Sequence, residues 1–192
     1  MAKQETIILN GTAYWAHVVT PEEYNGTPIG YSIIVDFEDD EKLARFQDYM
    51  EKFYEANKED TWKTDPKMTP NLPLKETKVG DGETRECAKA KCVHEYQDKK
   101  TGEIIAREVP VFDEYGEPLP KGTYIGNGSK VQVNVTPRVY MTNKKNFGVS
   151  LRLNAICVTD LVAYGSKNAD SYGFATKDKV EEDELQDGEM EF

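Results

Sequence analysis

The sequence predicts a mainly β protein: a five-stranded Greek-key barrel with one inserted helix and a disordered acidic tail. Three observations point there. Long runs rich in Val, Ile, Thr and Tyr alternate apolar with polar residues, as strands do. One window alone, after Asp39 and Asp40, carries apolar residues at helical spacing. The last fifteen residues, 178–192, hold eight acids and one base, with almost nothing to bury. A length of 192 residues suits a single domain, placed at 1–165, with a linker and tail over 166–192.

Taken in order, Thr6 to Val19 reads as a first strand, and the Pro-, Asn- and Gly-bearing stretch Thr20–Pro28 as a turn. Ile29–Phe37 reads as a second strand with Ile29, Tyr31, Ile33, Val35 and Phe37 on one face. Asp39 or Asp40 caps a helix that runs to about Asn57, with an apolar stripe of Leu43, Phe46, Met50 and Phe53. Residues 58–84, with three prolines and two glycines, read as loop. Glu86–Tyr96 is the next strand, Gln97–Glu103 a hairpin turn, and Ile104–Phe112 the returning strand. After a Pro- and Gly-rich connection come two long strands, Ser129 to about Met141 and Phe147 to about Leu161, joined by the short basic link Thr142–Asn146. A five-stranded barrel of the OB type is the simplest architecture for this order.

Net charge is -11, which taken whole argues against a polyanion ligand. Its distribution argues the reverse. Residues 118–159 carry six bases and no acid over 42 positions. A face swept clear of acids is what a polyanion site requires. No run approaches 18 apolar residues, so a membrane span is excluded. The opening Met1-Ala2-Lys3-Gln4-Glu5 lacks the apolar core of a secretory leader. Three cysteines, Cys87, Cys92 and Cys157, fit a reducing cytoplasm with free thiols.

The strand Lys130–Tyr140 carries the strongest pattern. Val131, Val133, Val135 and Val139 face the core, leaving Lys130, Gln132, Asn134, Thr136, Arg138 and Tyr140 on the other face. Pro137 is expected to bulge this strand. On its neighbour, Ser150, Arg152 and Asn154 face out, and Lys144 and Lys145 cap the hairpin. Cations neutralise phosphates and a tyrosine among them stacks on a base, which is sequence-tolerant binding of single strands. Lys89 and Lys91 share a face and extend the track. Trp15, on a face with Ala13 and His17, is either core or stacking platform.

Other chemistries find little footing. Cys87 and Cys92 fall on opposite faces, and the C-x4-C-x-H spacing with His94 suits no zinc site. Gly126-Asn127-Gly128-Ser129-Lys130 lacks the Lys-Ser/Thr ending of a phosphate loop and reads as a turn with amides near a phosphate. No nucleophile motif is present, so neither an enzyme nor a cofactor is expected. The rival reading is an acidic protein-interaction module or DNA mimic that inhibits a host enzyme.

Several short stretches, in this order, resemble a known family: Gly11-Thr12-Ala13, Gly30-Tyr31, Gln97-Asp98-Lys99-Lys100-Thr101, Ile125-Gly126-Asn127-Gly128-Ser129-Lys130, and an acidic tail ending in Phe192. Together they are similar to the phage replication single-stranded DNA-binding proteins with a phenylalanine-terminated tail. That resemblance implies an OB-fold homodimer in the host cytoplasm that coats single-stranded DNA in replication, recombination and repair. It implies Tyr140 as the stacking tyrosine, Lys130 as its basic partner and Lys3 as a basic N-terminal contact. Where the family carries an arginine before Gly-Tyr, this chain has Ile29. The resemblance also implies that the tail residues Glu181, Glu182, Asp183, Glu184, Asp187, Glu189, Glu191 and Phe192 contact the replicative DNA polymerase and the helicase-primase. The tail's charge is expected to compete with DNA for the basic groove.

Overall fold

The computed structural model describes residues 5–80 and 82–163. Lys3, the linker and the acidic tail lie outside the described residues. Within them the order is β1 (Ile7–Tyr24), β2 (Thr27–Asp36), α1 (Asp40–Asn57), β3 (Leu74–Val79), β4 (Glu83–Cys92), β5 (Glu95–Gln97), β6 (Ile104–Ala106), β7 (Val111–Phe112), β8 (Lys130–Asn143) and β9 (Asn146–Asp160).

Five strands close a barrel. Antiparallel pairs run β4-β2-β1-β8-β9. The ring shuts where β4 meets β9 in parallel, through Ala90–Leu151 and Lys91–Arg152. This is the Greek-key barrel that the sequence predicts. β3 adds to the outer edge of β4, β7 adds to β9, and β5 and β6 form a separate hairpin.

Small residues let so tight a barrel close. Ala13, Ala88 and Ala90 are fully buried beside Ile33, Val35, Val133, Val135, Leu151 and Leu153. At Gly30 a Cβ would stand 2.2 Å from the Cys92 carbonyl oxygen, so any side chain there would prise β2 from β4. Asp39 caps α1 by accepting from the Glu41 and Lys42 amides. The helix buries Phe46, Met50 and Tyr54 in the core. Phe46 meets Phe37 at 5.1 Å between centroids, and Tyr54 meets Phe147 at 5.8 Å.

Four expectations change. The turn over Thr20–Pro28 contracts to Asn25-Gly26, because β1 continues to Tyr24. Both turn residues have positive φ, 51° and 76°, the conformation that matches strand twist in a two-residue hairpin. The loop 58–84 contains β3, whose exposed Lys75, Glu76 and Lys78 disguise it; such charges protect an edge strand from further pairing. The strand expected over Glu86–Tyr96 ends at Cys92, and Ile104–Phe112 splits into β6 and β7 ahead of and beyond Pro110, which cannot donate to a ladder. Finally, Pro137 pairs in register with Leu151. Of the three register shifts in this pairing, the one nearest Pro137 falls at Asn154, since Asn134 pairs with Ala155 and Val135 with Leu153. One extra residue there is a β-bulge, and it moves the buried positions of β9 from Leu151 and Leu153 to Ile156 and Val158.

Met50 is fully buried between helix and barrel, so Met50→Ala should cost about 2–5 kcal/mol. Urea denaturation of the two proteins, followed by far-ultraviolet circular dichroism, measures that loss.

Candidate nucleic-acid interface

The bulge at Asn154 organises a polar cluster on the barrel wall. The Asn154 amide donates to Asn134 Oδ1 at 2.9 Å and Thr136 Oγ1 at 2.8 Å, and its oxygen accepts from Arg152 Nε at 3.1 Å. Thr136, read from the sequence as outward and polar, is therefore almost fully buried. Arg152 is held in place by the same contacts.

Arg152 lies opposite Lys91 across the β4–β9 seam. The two line a cleft of about 340 Å³ together with Arg138 of β8 and Arg107, which follows β6. Arg107 is fixed by its amide, which donates to the His94 carbonyl at 2.7 Å. Its guanidinium stands 5.1 Å from the centroid of the Tyr96 ring, a cation–π contact. Burial lowers the Arg152 pKa from its ordinary value, and the neighbouring charges of Arg138 and Arg107 lower it further. Arginine nevertheless stays charged at neutral pH. Three guanidiniums, an ammonium and the Glu22 carboxylate thus line one cleft of net positive charge, the sign that suits an anion. Ile29, Tyr31 and Val93 give the same cleft an apolar wall.

Sequence reasoning missed Arg107, because residues 85–117 are acidic on balance. The usable signal was the hairpin register: Tyr96 pairs with Ile105, which brings the residue after Ala106 back beside Tyr96.

The remaining expected residues divide. Tyr140 follows Arg138 on the same side of β8, and its hydroxyl accepts from Asn71 Nδ2 at 3.3 Å. Lys144 and Lys145 are exposed at the β8–β9 turn, about 20 Å further along the strand. Asn143 Oδ1 holds that turn by accepting from the Lys145 and Asn146 amides. Lys89 does share the outer face of β4 with Lys91, but its ammonium sits 3.9 Å from Glu22 Oε2. Trp15 leaves the face of Ala13: β1 is irregular between Tyr14 and His17, Trp15 has φ 49°, and its side chain is exposed.

Lys130 does not join Arg138 and Tyr140. Eight residues of strand, about 26 Å, separate it from Arg138. Its ammonium pairs with Glu38 and donates to Thr12 Oγ1 at 2.8 Å. Beside it Arg85 pairs with Asp36 and Asp40, so these cations serve the acids at the start of α1. Nor are the Gly126, Gly128 and Ser129 amides open to a phosphate. They donate to the carbonyls of Val162, Ala13 and Gly126.

The thiols fit burial better than ligation. Cys87 lies under Ile34 and Val79, where burial pushes its pKa up to about 11, while Cys92 faces the main core.

The chain is 29% identical over 139 residues to the single-stranded DNA-binding protein of Enterobacteria phage T3, a span of 70% of this chain and 54% of that relative. The match thus takes in about half the relative's length. Among solved structures, the fold matches gp2.5, the single-stranded DNA-binding protein of bacteriophage T7, with TM-score 0.59 and 22% identity, covering 97% of this chain and 100% of that one. It also matches the single-stranded DNA-binding protein of bacteriophage Enc34 in complex with single-stranded DNA, with TM-score 0.53 and 17% identity, covering 83% and 89%. No family model matches. The resemblance and the barrel fold read from the sequence thus both find counterparts among known phage proteins.

The Glu38 carboxyl is held below its ordinary pKa, first by the hydrogen bond from Lys130 and then by that from Thr12. A depressed carboxylate stabilises the fold above about pH 4.3 and loses that contribution as pH falls through the folded value. Lys130→Met should therefore lower the urea midpoint at neutral pH. The gap to the unmodified protein should narrow below about pH 4.

Proposed function

We propose that this chain belongs with the phage single-stranded DNA-binding proteins and coats single strands without reading their sequence. The observation that carries this reading is the convergence of Lys91, Arg107, Arg138 and Arg152 on one cleft at the barrel seam. The cleft also takes in Tyr31 of β2 and Lys91 of β4, the second and third barrel strands, whose face binds oligonucleotides in OB folds. The guanidiniums take the phosphates of a strand laid across the seam, while Tyr96 and Tyr140 offer ring faces for bases. Lys144 and Lys145 continue the charge along the β8–β9 hairpin. Stacking and phosphate contacts are sequence-tolerant, so binding follows strandedness rather than base order. No covalent chemistry is needed.

The names of the T3, T7 and Enc34 relatives support this reading. It extends to a role in replication, recombination and repair as a homodimer in the host cytoplasm. In the same reading the tail, Glu181, Glu182, Asp183, Glu184, Asp187, Glu189, Glu191 and Phe192, contacts the replicative DNA polymerase and helicase-primase. It also competes with DNA for the cationic cleft. The charge contrast supports that competition: eight acids over 178–192 against an acid-free 118–159. Acids of the described barrel such as Asp36, Glu38 and Asp40 are engaged by Arg85 and Lys130, which disfavours a structured DNA mimic.

Replacing Arg107 or Arg152 with Ala should weaken binding of a single-stranded oligonucleotide about 10- to 100-fold, as expected for lost bonds to a charged group. Each change should also flatten the slope of log affinity against log salt by about 0.7. Fluorescence anisotropy titrations across a salt series measure both, and unchanged affinity in Arg152→Ala would remove the cleft from the site. Deleting residues 178–192 should tighten binding at low salt in the same assay.

A further inference from the structure

A second, smaller cleft adjoins the first. It is lined by Trp15, His17, Glu22, Ser32, Ile34, Lys75 and Lys89, and Glu22 lines both clefts. Along β4 the two are joined by Lys89 and Lys91 on one face, about 7 Å apart. Trp15 is the feature that needs explaining. It is a large apolar side chain, yet 54% exposed. Its backbone sits in the left-handed region at φ 49°, which is costly for a bulky residue. The conformation is held from outside: the Trp15 amide donates to Asn127 Oδ1 at 2.8 Å, in a turn 112 residues away. Strain that the surroundings enforce is characteristic of functional positions. Here it turns the indole away from the core that Ala13 enters and sets it beside two lysines. Glu22 stands between the clefts, its Oε2 accepting from Ser32 Oγ at 3.1 Å with Lys89 Nζ at 3.9 Å.

We propose that the Trp15 cleft is a second nucleotide subsite, reached only by a strand long enough to cross Glu22. This rests on the first cleft being a single-stranded DNA interface. A base leaving the Arg152 cleft stacks on the indole, and Lys75 takes the neighbouring phosphate. Glu22 repels a phosphate placed directly on it and withholds Lys89 as its own partner, so the strand's backbone passes to one side and a base spans the carboxylate. The indole stacks any base, so the subsite adds affinity and length dependence without adding sequence preference.

The test is the dependence of affinity on oligonucleotide length, from about 4 to about 16 nucleotides, for full-length protein and three variants. Trp15→Ala should leave the shortest oligonucleotides unaffected and weaken the longest by roughly tenfold or more. Trp15→Phe, which keeps a flat ring, should retain most of that affinity. Arg152→Ala should weaken binding at every length. Tryptophan fluorescence of the unmodified protein should be quenched by long oligonucleotides and hardly by short ones. If Trp15→Ala matches the unmodified protein at all lengths while Arg152→Ala is weakened, the second subsite is wrong and the first stands. A uniform loss in Trp15→Ala across lengths would make its role structural and overturn the proposal. If Arg152→Ala also binds normally, the reading of the first cleft fails with it.

Discussion

The parallel contact between β4 and β9 is the constraint on which the rest of the molecule depends. Only two residue pairs make it, Ala90–Leu151 and Lys91–Arg152, yet it converts a curved sheet into a closed barrel. Closure removes two edges that would otherwise be open to other chains. It also juxtaposes residues 61 positions apart in the chain, and that juxtaposition forms the proposed site. The seam carries alanine on the inside, where there is no room, and cations on the outside, where there is no covering layer. One pair of strands therefore fixes both the core's shape and the surface's charge.

Electrostatics within the barrel follow a division of labour. At one end, Lys130 and Arg85 neutralise Asp36, Glu38 and Asp40, which terminate β2 and start α1. At the seam, burial depresses the pKa of Arg152, and the nearby charges of Arg138 and Arg107 depress it further. The first group stabilises the folded chain. The second group concentrates positive charge on one cleft, with the Glu22 carboxylate also in its lining. The Asn154 bulge makes the second arrangement tolerable, because its amide group anchors Arg152 while satisfying Asn134 and Thr136. A net charge of -11 describes neither group.

Periodicity carried much of this in the sequence. The stripe of Phe46 and Met50 behind Asp39 announces α1, and the valines of β8 announce its buried face. The acid-free stretch 118–159 announces Arg138 and Arg152. What stayed hidden depends on contacts between distant segments. The β9 bulge leaves no mark in composition, and only the pairing of Val135 with Leu153 reveals it. Lys130 looks like its even-numbered neighbours until Glu38 is brought beside it. Arg107 is masked by the acids around it, and β3 by its own edge charges. Trp15 is ambiguous in any alternating pattern, because its orientation is decided by Asn127 from the far side of the chain.

The central claim is that the seam cleft is where single-stranded DNA lies. Nuclear magnetic resonance of the arginine Nε–Hε groups during titration with a short oligonucleotide reads the three guanidiniums individually. The account predicts large, saturable shifts for Arg107, Arg138 and Arg152, with Arg85 unmoved in its pair with Asp36 and Asp40. Saturable binding that leaves the three seam arginines unshifted would contradict it.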